Sequence, residues 1–225
     1  MKIAVLGTGT VGRTIASRLI ELGHAAIIGT RDPQATLART EADATGSMPF
    51  ADWTAANPAV SVSTFDEAAA GAELIINATN GGASLDVLAQ AKAENLADKV
   101  ILDIANPLDF SKGMPPTLFV KDTDSLGEQI QRAFPASRVV KSLNTMNADL
   151  MARPEQLTDP GTVFVSGNDA GAKALVRNLL KEFGHHDVID LGDITTARGT
   201  EMLLPVWLRL WGALGTPAFN FKIVR

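Results

Sequence analysis

A glycine-rich turn near the N-terminus constrains the fold of this chain more than any other feature. Residues 2–6 are an apolar run typical of a buried strand, and residues 11–22 place apolar side chains at helical spacing. The turn between them reads Gly7-Thr8-Gly9-Thr10-Val11-Gly12. Glycines at these positions allow a tight turn, a close approach of the backbone to pyrophosphate and close packing of helix on strand. The pattern predicts a Rossmann-type unit that binds a dinucleotide.

Strand-like and helical segments alternate up to residue 145. Short apolar runs predict further strands at His24–Gly29, Val60–Thr64, Leu74–Thr79, Val100–Ile104 and Arg138–Leu143. Helical spacing predicts helices near Pro33–Ala42, at Ser84–Asn95 with Leu85, Leu88 and Ala89 inward, and at Asp124–Phe134 behind an acidic cap. Residues 40–58 have the loosest pattern. The alternation favours an α/β fold with a Rossmann-type, doubly wound, mostly parallel sheet.

The pattern becomes less regular after residue 145. We expect a helix near Ala148, a strand at Thr162–Ser166, a helix at Ala170–Phe183, a short strand at Asp187–Asp190 and a terminal helix. The sequence therefore predicts a dinucleotide-binding Rossmann domain over residues 1–145 and a small C-terminal α+β domain over residues 146–225. The second domain would serve substrate binding or dimerisation, so a homodimer is a further expectation.

Composition and charge restrict the classes of partner. A net charge of −5 provides no basic field for nucleic acid or anionic lipid. The most apolar late stretch, Met202–Leu214, is interrupted by Pro205 and Arg209 and falls short of the roughly 20 apolar residues that a membrane span needs. Cysteine is absent and no metal site is predicted; the first residues do not resemble a signal peptide. We expect a cytoplasmic protein without nucleic-acid or membrane partners.

The end of the second predicted strand indicates which dinucleotide binds. Sites that prefer NAD usually place an acid on the ribose 2′-hydroxyl about 20 residues after the first glycine. This chain has Thr30 and Arg31 there. An acid would repel a 2′-phosphate, whereas a hydroxyl and a guanidinium can bind one. The sequence favours NADP(H); the alternative is that Arg31 is a solvated loop residue and Asp32 contacts the ribose.

Polar residues follow the later strands at the edge where the cofactor should lie. Ala78, Thr79 and Asn80 follow the fourth strand, and Asn106 follows the fifth. We expect all four to border the cofactor, because parallel sheets of this class bind ligands at the carboxyl ends of their strands. The sixth strand closes with Lys141 and Asn144. The candidate catalytic residues are Asn80, Asn144 and Lys141.

Proton donors of the usual kinds are scarce in this sequence. It contains no tyrosine, and its three histidines do not form a recognisable relay. Hydride transfer between two stacked rings needs little proton chemistry and therefore fits best. Trp207 and Trp211 could stack on a planar acceptor, or belong to the core or a subunit interface. Two alternatives stay open: reduction of a small carbonyl or imine with Lys141 as proton donor, and a non-catalytic NADP-binding sensor.

Four segments together resemble the coenzyme F420-dependent NADP oxidoreductase family: residues 5–12, 29–31, 140–145 and 204–225. That family combines a Rossmann domain with a small C-terminal domain and transfers hydride between NADPH and a deazaflavin. The resemblance implies that Thr8–Val11 bind pyrophosphate, that Thr30-Arg31 hold the 2′-phosphate, and that a small redox substrate, coenzyme F420 or a flavin, is the second ligand. The chain departs from the family in having Thr79-Asn80 instead of a Pro-Trp pair and Asn144 instead of a histidine.

Overall fold

The computed structural model describes residues 1–42 and 46–225. Within these residues the strands are β1 (Lys2–Leu6), β2 (Ala25–Thr30), β3 (Ser61–Thr64), β4 (Leu74–Asn77), β5 (Val100–Asp103), β6 (Leu108–Asp109), β7 (Thr117–Leu118), β8 (Arg138–Ser142), β9 (Thr162–Gly167) and β10 (Asp187–Gly192). The helices are α1 (Thr10–Glu21), α2 (Pro33–Leu37), α3 (Phe50–Ala56), α4 (Phe65–Gly71), α5 (Ser84–Gln90), α6 (Ala93–Leu96), α7 (Leu126–Ala133), α8 (Ala148–Ala152), α9 (Ala170–Phe183), α10 (Ala197–Met202) and α11 (Leu204–Leu214). Every strand predicted from the sequence occurs, with its ends shifted by at most two residues.

The described part of the chain forms one eight-stranded sheet in the order β10-β9-β8-β5-β4-β1-β2-β3, and β6 and β7 form a separate small hairpin. All neighbours in the large sheet are parallel except β8 and β9, which are antiparallel. The predicted Rossmann-type, mostly parallel α/β fold is confirmed. Strands β9 and β10 extend the same sheet beyond residue 145, and the division into two domains near that residue stays a prediction.

Side chains of β1 alternate between two apolar layers, one on each face of the sheet. Ile3 and Val5 pack into the layer that contains residues of α1, α8 and α9, whereas Ala4 and Leu6 pack into the layer of α4, α5 and α7. Successive residues of a strand point to opposite faces, so a central strand covered by helices on both sides must be apolar throughout. This explains why residues 3–6 of β1 are apolar without polar alternation. No helix among the described residues is long and apolar enough to cross a membrane.

Several helices differ from the sequence expectation. The segment 84–95 is broken, because Lys92 adopts a positive φ of 70° between α5 and α6. Leu85 and Ala89 are exposed rather than inward, and Val87 and Leu88 are the buried pair. The cap of α7 is Ser125, whose side chain accepts from the backbone N–H of Glu128, rather than the preceding acid.

The region between β2 and β4 also departs from expectation. Helix α2 ends at Leu37 instead of continuing to Ala42, and the loosely patterned stretch contains helix α3. Helix α4 was not expected from the sequence, although Thr64 and Glu67 form a capping box at its start. Residues 43–45 of the loosely patterned stretch lie outside the described residues.

Candidate active site

A cleft of about 580 Å³ lies at the carboxyl edge of the sheet. One end is the glycine turn at Gly9–Val11, and the middle is formed by the loops after β4 and β5. The far wall is formed by apolar side chains, including Trp207 and Trp211 of α11. Among the described residues, the lining contains no charged and no histidine side chain. The described lining therefore offers a ligand apolar surface and neutral hydrogen-bonding groups.

The three glycines of the turn meet different surroundings. Gly7 has a φ of +125°, and a Cβ on it would lie 2.5 Å from the carbonyl oxygen of Ala78. A Cβ on Gly12 would lie 2.2 Å from the carbonyl oxygen of Gly7, so helix and strand pack in direct backbone contact there. A Cβ on Gly9 would meet no described atom within 4 Å. The fold requires the first and third glycines, whereas the open space at Gly9 is where the fingerprint expects pyrophosphate.

The first turn of α1 is suited to an anion. Gly9 occupies the N-cap position, no side chain of the described residues caps the helix, and its first turn contains no acidic residue. The N–H groups of this first turn and the positive end of the helix dipole point toward the same edge of the sheet as the cleft. This surrounding fits the diphosphate of a dinucleotide, as the sequence predicted for residues 7–12.

A group of hydroxyl and guanidinium side chains lies at the end of β2, next to the glycine turn. Thr30, at the end of β2, is buried and its Oγ1 is 2.8 Å from Thr36 Oγ1. Arg39 donates to Thr36 Oγ1 at 2.8 Å and to Thr8 Oγ1 at 3.1 Å. Arg31, the residue after Thr30, is exposed. Within the described residues no carboxylate forms an ion pair with either arginine, so this surrounding fits a phosphate.

Arg39 was not selected from the sequence. The expected helix over residues 33–42 gave no reason to place this side chain against the glycine turn. Because α2 ends early and the backbone N–H of Arg39 donates to the carbonyl of Thr36, the chain turns back toward Thr8. Asp32, the alternative ribose contact, accepts from the backbone N–H of Ala35 and caps α2.

The residues predicted after β4 and β5 lie together on the cleft. Ala78, Thr79, Asn80 and Asn106 all contribute to its lining. Asn80 is exposed and its Oδ1 accepts from the backbone N–H of Gly82 at 3.0 Å. The structure thus groups these side chains near the glycine turn, and their roles stay predictions.

Asn144 also lines the cleft and is paired with Asn106. Asn144 donates to Asn106 Oδ1 at 3.0 Å, and Asn106 donates to the backbone carbonyl of Asn144 at 2.9 Å. A further bond from Asn144 to the carbonyl of Thr200, at 3.1 Å, ties the loop after β8 to α10. The asparagine pair therefore joins the Rossmann strands to the C-terminal helices beneath the cleft.

Lys141, the third candidate, lies in the interior and is not among the residues that line the cleft. Its Nζ lies 2.8 Å from Asp103 Oδ2 and 2.9 Å from Glu201 Oε1, and it also donates to the carbonyl of Ala105. Burial acts to lower the pKa of Lys141, but the two carboxylates outweigh it and hold the pKa above the ordinary 10.5. The side chain is a paired, buried ammonium with no direct path to a ligand.

Glu201 connects the ion pairs of Lys141 to the N-terminal end of a helix. Its two carboxylate oxygens accept from the backbone N–H groups of Leu126 and Gly127 at 2.8 and 3.0 Å, at the start of α7. One carboxylate from α10 thus contacts both the N-terminus of α7 and Lys141. This contact fixes α10, and with it the adjoining α11 that walls the cleft.

The two tryptophans of α11 differ in exposure. Trp207 is buried and stacks on Phe219 of the C-terminal tail, with ring centroids 5.4 Å apart. Trp211 is 40% exposed and lies 5.5 Å from Trp207. Both line the cleft, so both the packing role and a ring surface for a ligand are compatible with their position.

Comparisons with known proteins agree with this geometry. Residues 2–107 match the family described as NADP oxidoreductase, coenzyme F420-dependent. The chain is 28% identical to the F420-dependent NADP reductase of Methanocaldococcus jannaschii, over 93% of this chain and 92% of that protein. It is 26% identical to the metalloreductase STEAP3 of Rattus norvegicus over 92% of this chain, and it spans 38% of the length of that relative.

A solved structure extends the likeness over the whole chain. A protein from Arthrobacter sp. FB24, named provisionally as an F420-dependent NADP reductase, is 64% identical with a TM-score of 0.95, and the match covers 100% of both chains. The Rossmann sheet, the glycine turn with surroundings suited to an anion, and the apolar cleft are together typical of dinucleotide-dependent oxidoreductases. Within that class, this chain belongs to the F420-dependent NADP oxidoreductase family, which confirms the resemblance seen in the sequence.

Proposed function

We propose that this protein is an NADP(H)-dependent oxidoreductase that transfers hydride between NADPH and a planar ring acceptor, such as coenzyme F420 or a flavin. The observation that carries the proposal is the lining of the cleft, which runs from Gly9 to Trp211 and includes no charged or histidine side chain among the described residues. Such a surface suits two stacked rings, because ring-to-ring transfer depends on proximity and orientation more than on proton transfer.

In this proposal each part of the carboxyl edge of the sheet binds a different part of the cofactor or its acceptor. The first turn of α1 and the open space at Gly9 receive the diphosphate. The hydroxyls and arginines around Thr30 receive the 2′-phosphate. NADPH held in this way would supply the hydride in the apolar middle of the cleft. Asn80, Asn106 and Asn144 would position the nicotinamide and its acceptor by neutral hydrogen bonds.

The alternative of a carbonyl or imine reductase that uses Lys141 as proton donor has less support. The lysine Nζ is engaged by two carboxylates and a backbone carbonyl, and the residue does not line the cleft. A non-catalytic NADP-binding sensor would need the same cofactor contacts and no turnover. Both alternatives are outcomes of the experiment that follows. A homodimer and a cytoplasmic location stay predictions.

NADPH bound to this protein should reduce at least one ring acceptor at a rate that changes little across the physiological pH range. The reason is that no described side chain lining the cleft titrates in that range. Stopped-flow absorbance of NADPH oxidation by coenzyme F420, flavin mononucleotide and a quinone, each at several pH values, measures this. Trp211→Ala should slow the transfer several-fold, whereas Val206→Ala, on the same helix but outside the cleft lining, should leave it unchanged.

Two results would contradict the proposal. Oxidation of the cofactor by a small carbonyl or imine alone, at a rate that follows one titrating group, would indicate the reductase alternative. Tight NADPH binding without turnover of any ring or carbonyl acceptor would indicate the sensor.

The preference for NADPH over NADH should depend on Arg31 and Arg39. Arg31→Ala and Arg39→Ala should each weaken NADPH binding about 10- to 100-fold and leave NADH binding nearly unchanged, because a charge-assisted contact to phosphate contributes about 1.5–3 kcal/mol. Fluorescence titration with both nucleotides measures the ratio. Arg132→Ala is a matched control, since Arg132 pairs with Asp124 on the surface and does not line the cleft. Equal losses of NADPH and NADH affinity would show that the arginines do not contact the 2′-phosphate.

A further inference from the structure

The hydrogen bonds around Thr79 determine whether its hydroxyl can donate to a ligand or accept from one. The side chain of Asn77, at the end of β4, is fully buried. Its amide nitrogen donates to Asp103 Oδ1 at 2.8 Å, and the other oxygen of that carboxylate is 2.8 Å from Lys141 Nζ. A carboxylate paired with an ammonium can only accept a hydrogen bond. The Asn77 amide therefore has one permitted orientation, with its Oδ1 toward Thr79.

The remaining hydrogens follow from that orientation. Thr79 donates its one hydroxyl hydrogen to Asn77 Oδ1 at 2.7 Å. The hydroxyl of Ser84 accepts from the second amide hydrogen of Asn77 at 3.1 Å and lies 2.9 Å from Thr79 Oγ1. Since the hydrogen of Thr79 is already used, Thr79 can only accept in that contact. The single hydrogen of Ser84 goes either to Thr79 Oγ1 or to the backbone carbonyl of Asn80 at 3.4 Å, so at most one lone pair of Thr79 is taken. A hydroxyl oxygen has two lone pairs, so Thr79, which lines the cleft, retains one free acceptor position and no donor.

Asn144 offers the cleft a second fixed acceptor, by an independent set of contacts. Both hydrogens of its amide are used, one on Asn106 Oδ1 and one on the backbone carbonyl of Thr200. A backbone carbonyl only accepts, which fixes the orientation of the amide. Asn144 Oδ1 forms no hydrogen bond with any described residue, although Asn144 lines the cleft. Two residues of the cleft lining therefore each keep an acceptor position that no described residue occupies.

We infer that the cleft recognises an N–H group of its ligand through Thr79 Oγ1 and Asn144 Oδ1. The inference rests on the proposed function and narrows its ligand chemistry. Two ligands of that function carry such a group: reduced nicotinamide in its carboxamide, and a deazaflavin or flavin in the imide of its ring. Quinones have only carbonyl oxygens, which would face these acceptors unfavourably, because a site built around fixed polar groups rejects ligands that leave them unpaired.

The experiment compares Thr79→Val, which removes the hydroxyl at nearly constant shape, with Thr79→Ser, which keeps it. The backbone N–H of Thr79 still faces Asn77 Oδ1 at 3.4 Å in either variant, and thermal unfolding checks that both are folded. For the cofactor, the probes are NADPH and its acetylpyridine analogue, which has a methyl ketone instead of the carboxamide. For the acceptor, the probes are lumiflavin and lumiflavin methylated at the imide nitrogen, titrated by fluorescence into protein saturated with NADP.

The valine variant should bind an N–H ligand about five- to tenfold more weakly than the serine variant, as expected for loss of one neutral hydrogen bond. It should bind the matching ligand without the N–H equally well. A loss confined to NADPH assigns the contact to the carboxamide, and a loss confined to lumiflavin assigns it to the acceptor ring.

Equal affinities of the two variants for all four probes would overturn the inference, as would equal losses for ligands with and without the N–H. These results are distinct from a failure of the proposed function. In that case the unmodified protein would bind NADPH without passing hydride to any ring acceptor.

Discussion

Replacing Gly9 with valine should abolish NADPH binding and leave the thermal stability of the protein close to that of the unmodified chain. The φ of Gly9 is −75°, which any residue can adopt, and a Cβ there would meet no described atom within 4 Å. The branched side chain would instead occupy the space of the pyrophosphate. Loss of two charge-assisted contacts of about 1.5–3 kcal/mol each weakens binding by at least about two orders of magnitude. Titration calorimetry with NADPH and a thermal unfolding curve measure the two quantities.

Gly12→Ala is the matched control for this prediction. Its Cβ would lie 2.2 Å from the carbonyl oxygen of Gly7, so α1 must shift away from the turn. Overpacking of this kind costs about 1–3 kcal/mol, and the unfolding temperature should fall even without ligand. If Gly9→Val bound NADPH with undiminished affinity, the glycine fingerprint would not be a nucleotide site. If it unfolded like Gly12→Ala, Gly9 would have a structural role.

Replacing Lys141 with methionine should reduce the free energy of unfolding by about 3–5 kcal/mol, because removal of one partner leaves buried charges uncompensated. The carboxylates of Asp103 and Glu201 lie within 3 Å of the lysine Nζ, at 2.8 and 2.9 Å, and are themselves buried. Denaturant unfolding measures the loss. Lys222→Met provides the control, since Lys222 forms its ion pairs on the surface and should change the midpoint little.

The pH dependence of these stabilities separates a structural lysine from a proton donor. The folded protein holds the pKa of Lys141 above 10.5, so its contribution is present at lower pH and is lost as the pH rises through the folded value. The stability difference between the unmodified protein and Lys141→Met should therefore persist through the physiological pH range and shrink only as the pH rises above 10.5. An activity loss in fully folded variant protein, with a rate governed by one pKa in the physiological range, would instead support the proton-donor hypothesis.

The glycine turn illustrates which features could be predicted from the sequence. Strand β1, the turn and α1 are contiguous in the chain. Their residue pattern reflects the backbone conformation of that segment itself, so it can be recognised without knowing the distant residues. Thr30 and Arg31 could be selected for the same reason, because their distance from Gly7 along the chain is set by one βαβ unit. The family resemblance extended this information to the C-terminal tail.

Helix ends and side-chain environments were harder to predict from the sequence. The broken helix at Lys92 and the early end of α2 depend on how each segment packs against the sheet, and helical spacing alone does not report this. The exposure of Leu85 follows from the same cause. Arg39 was missed because its position depends on that early end, which directs the side chain to Thr8.

The sequence by itself determined the Rossmann class, and it located the glycine turn and the residues that we propose for the 2′-phosphate, since these depend on residues close together in the chain. Only the tertiary structure decided the environment of Lys141, because its partners Asp103 and Glu201 come from β5 and α10, distant in sequence. It likewise decided the hydrogen-bond partners of Thr79 and Asn144. The direction of a hydrogen bond depends on every partner in its network, and those partners meet only when the sheet and the C-terminal helices pack together.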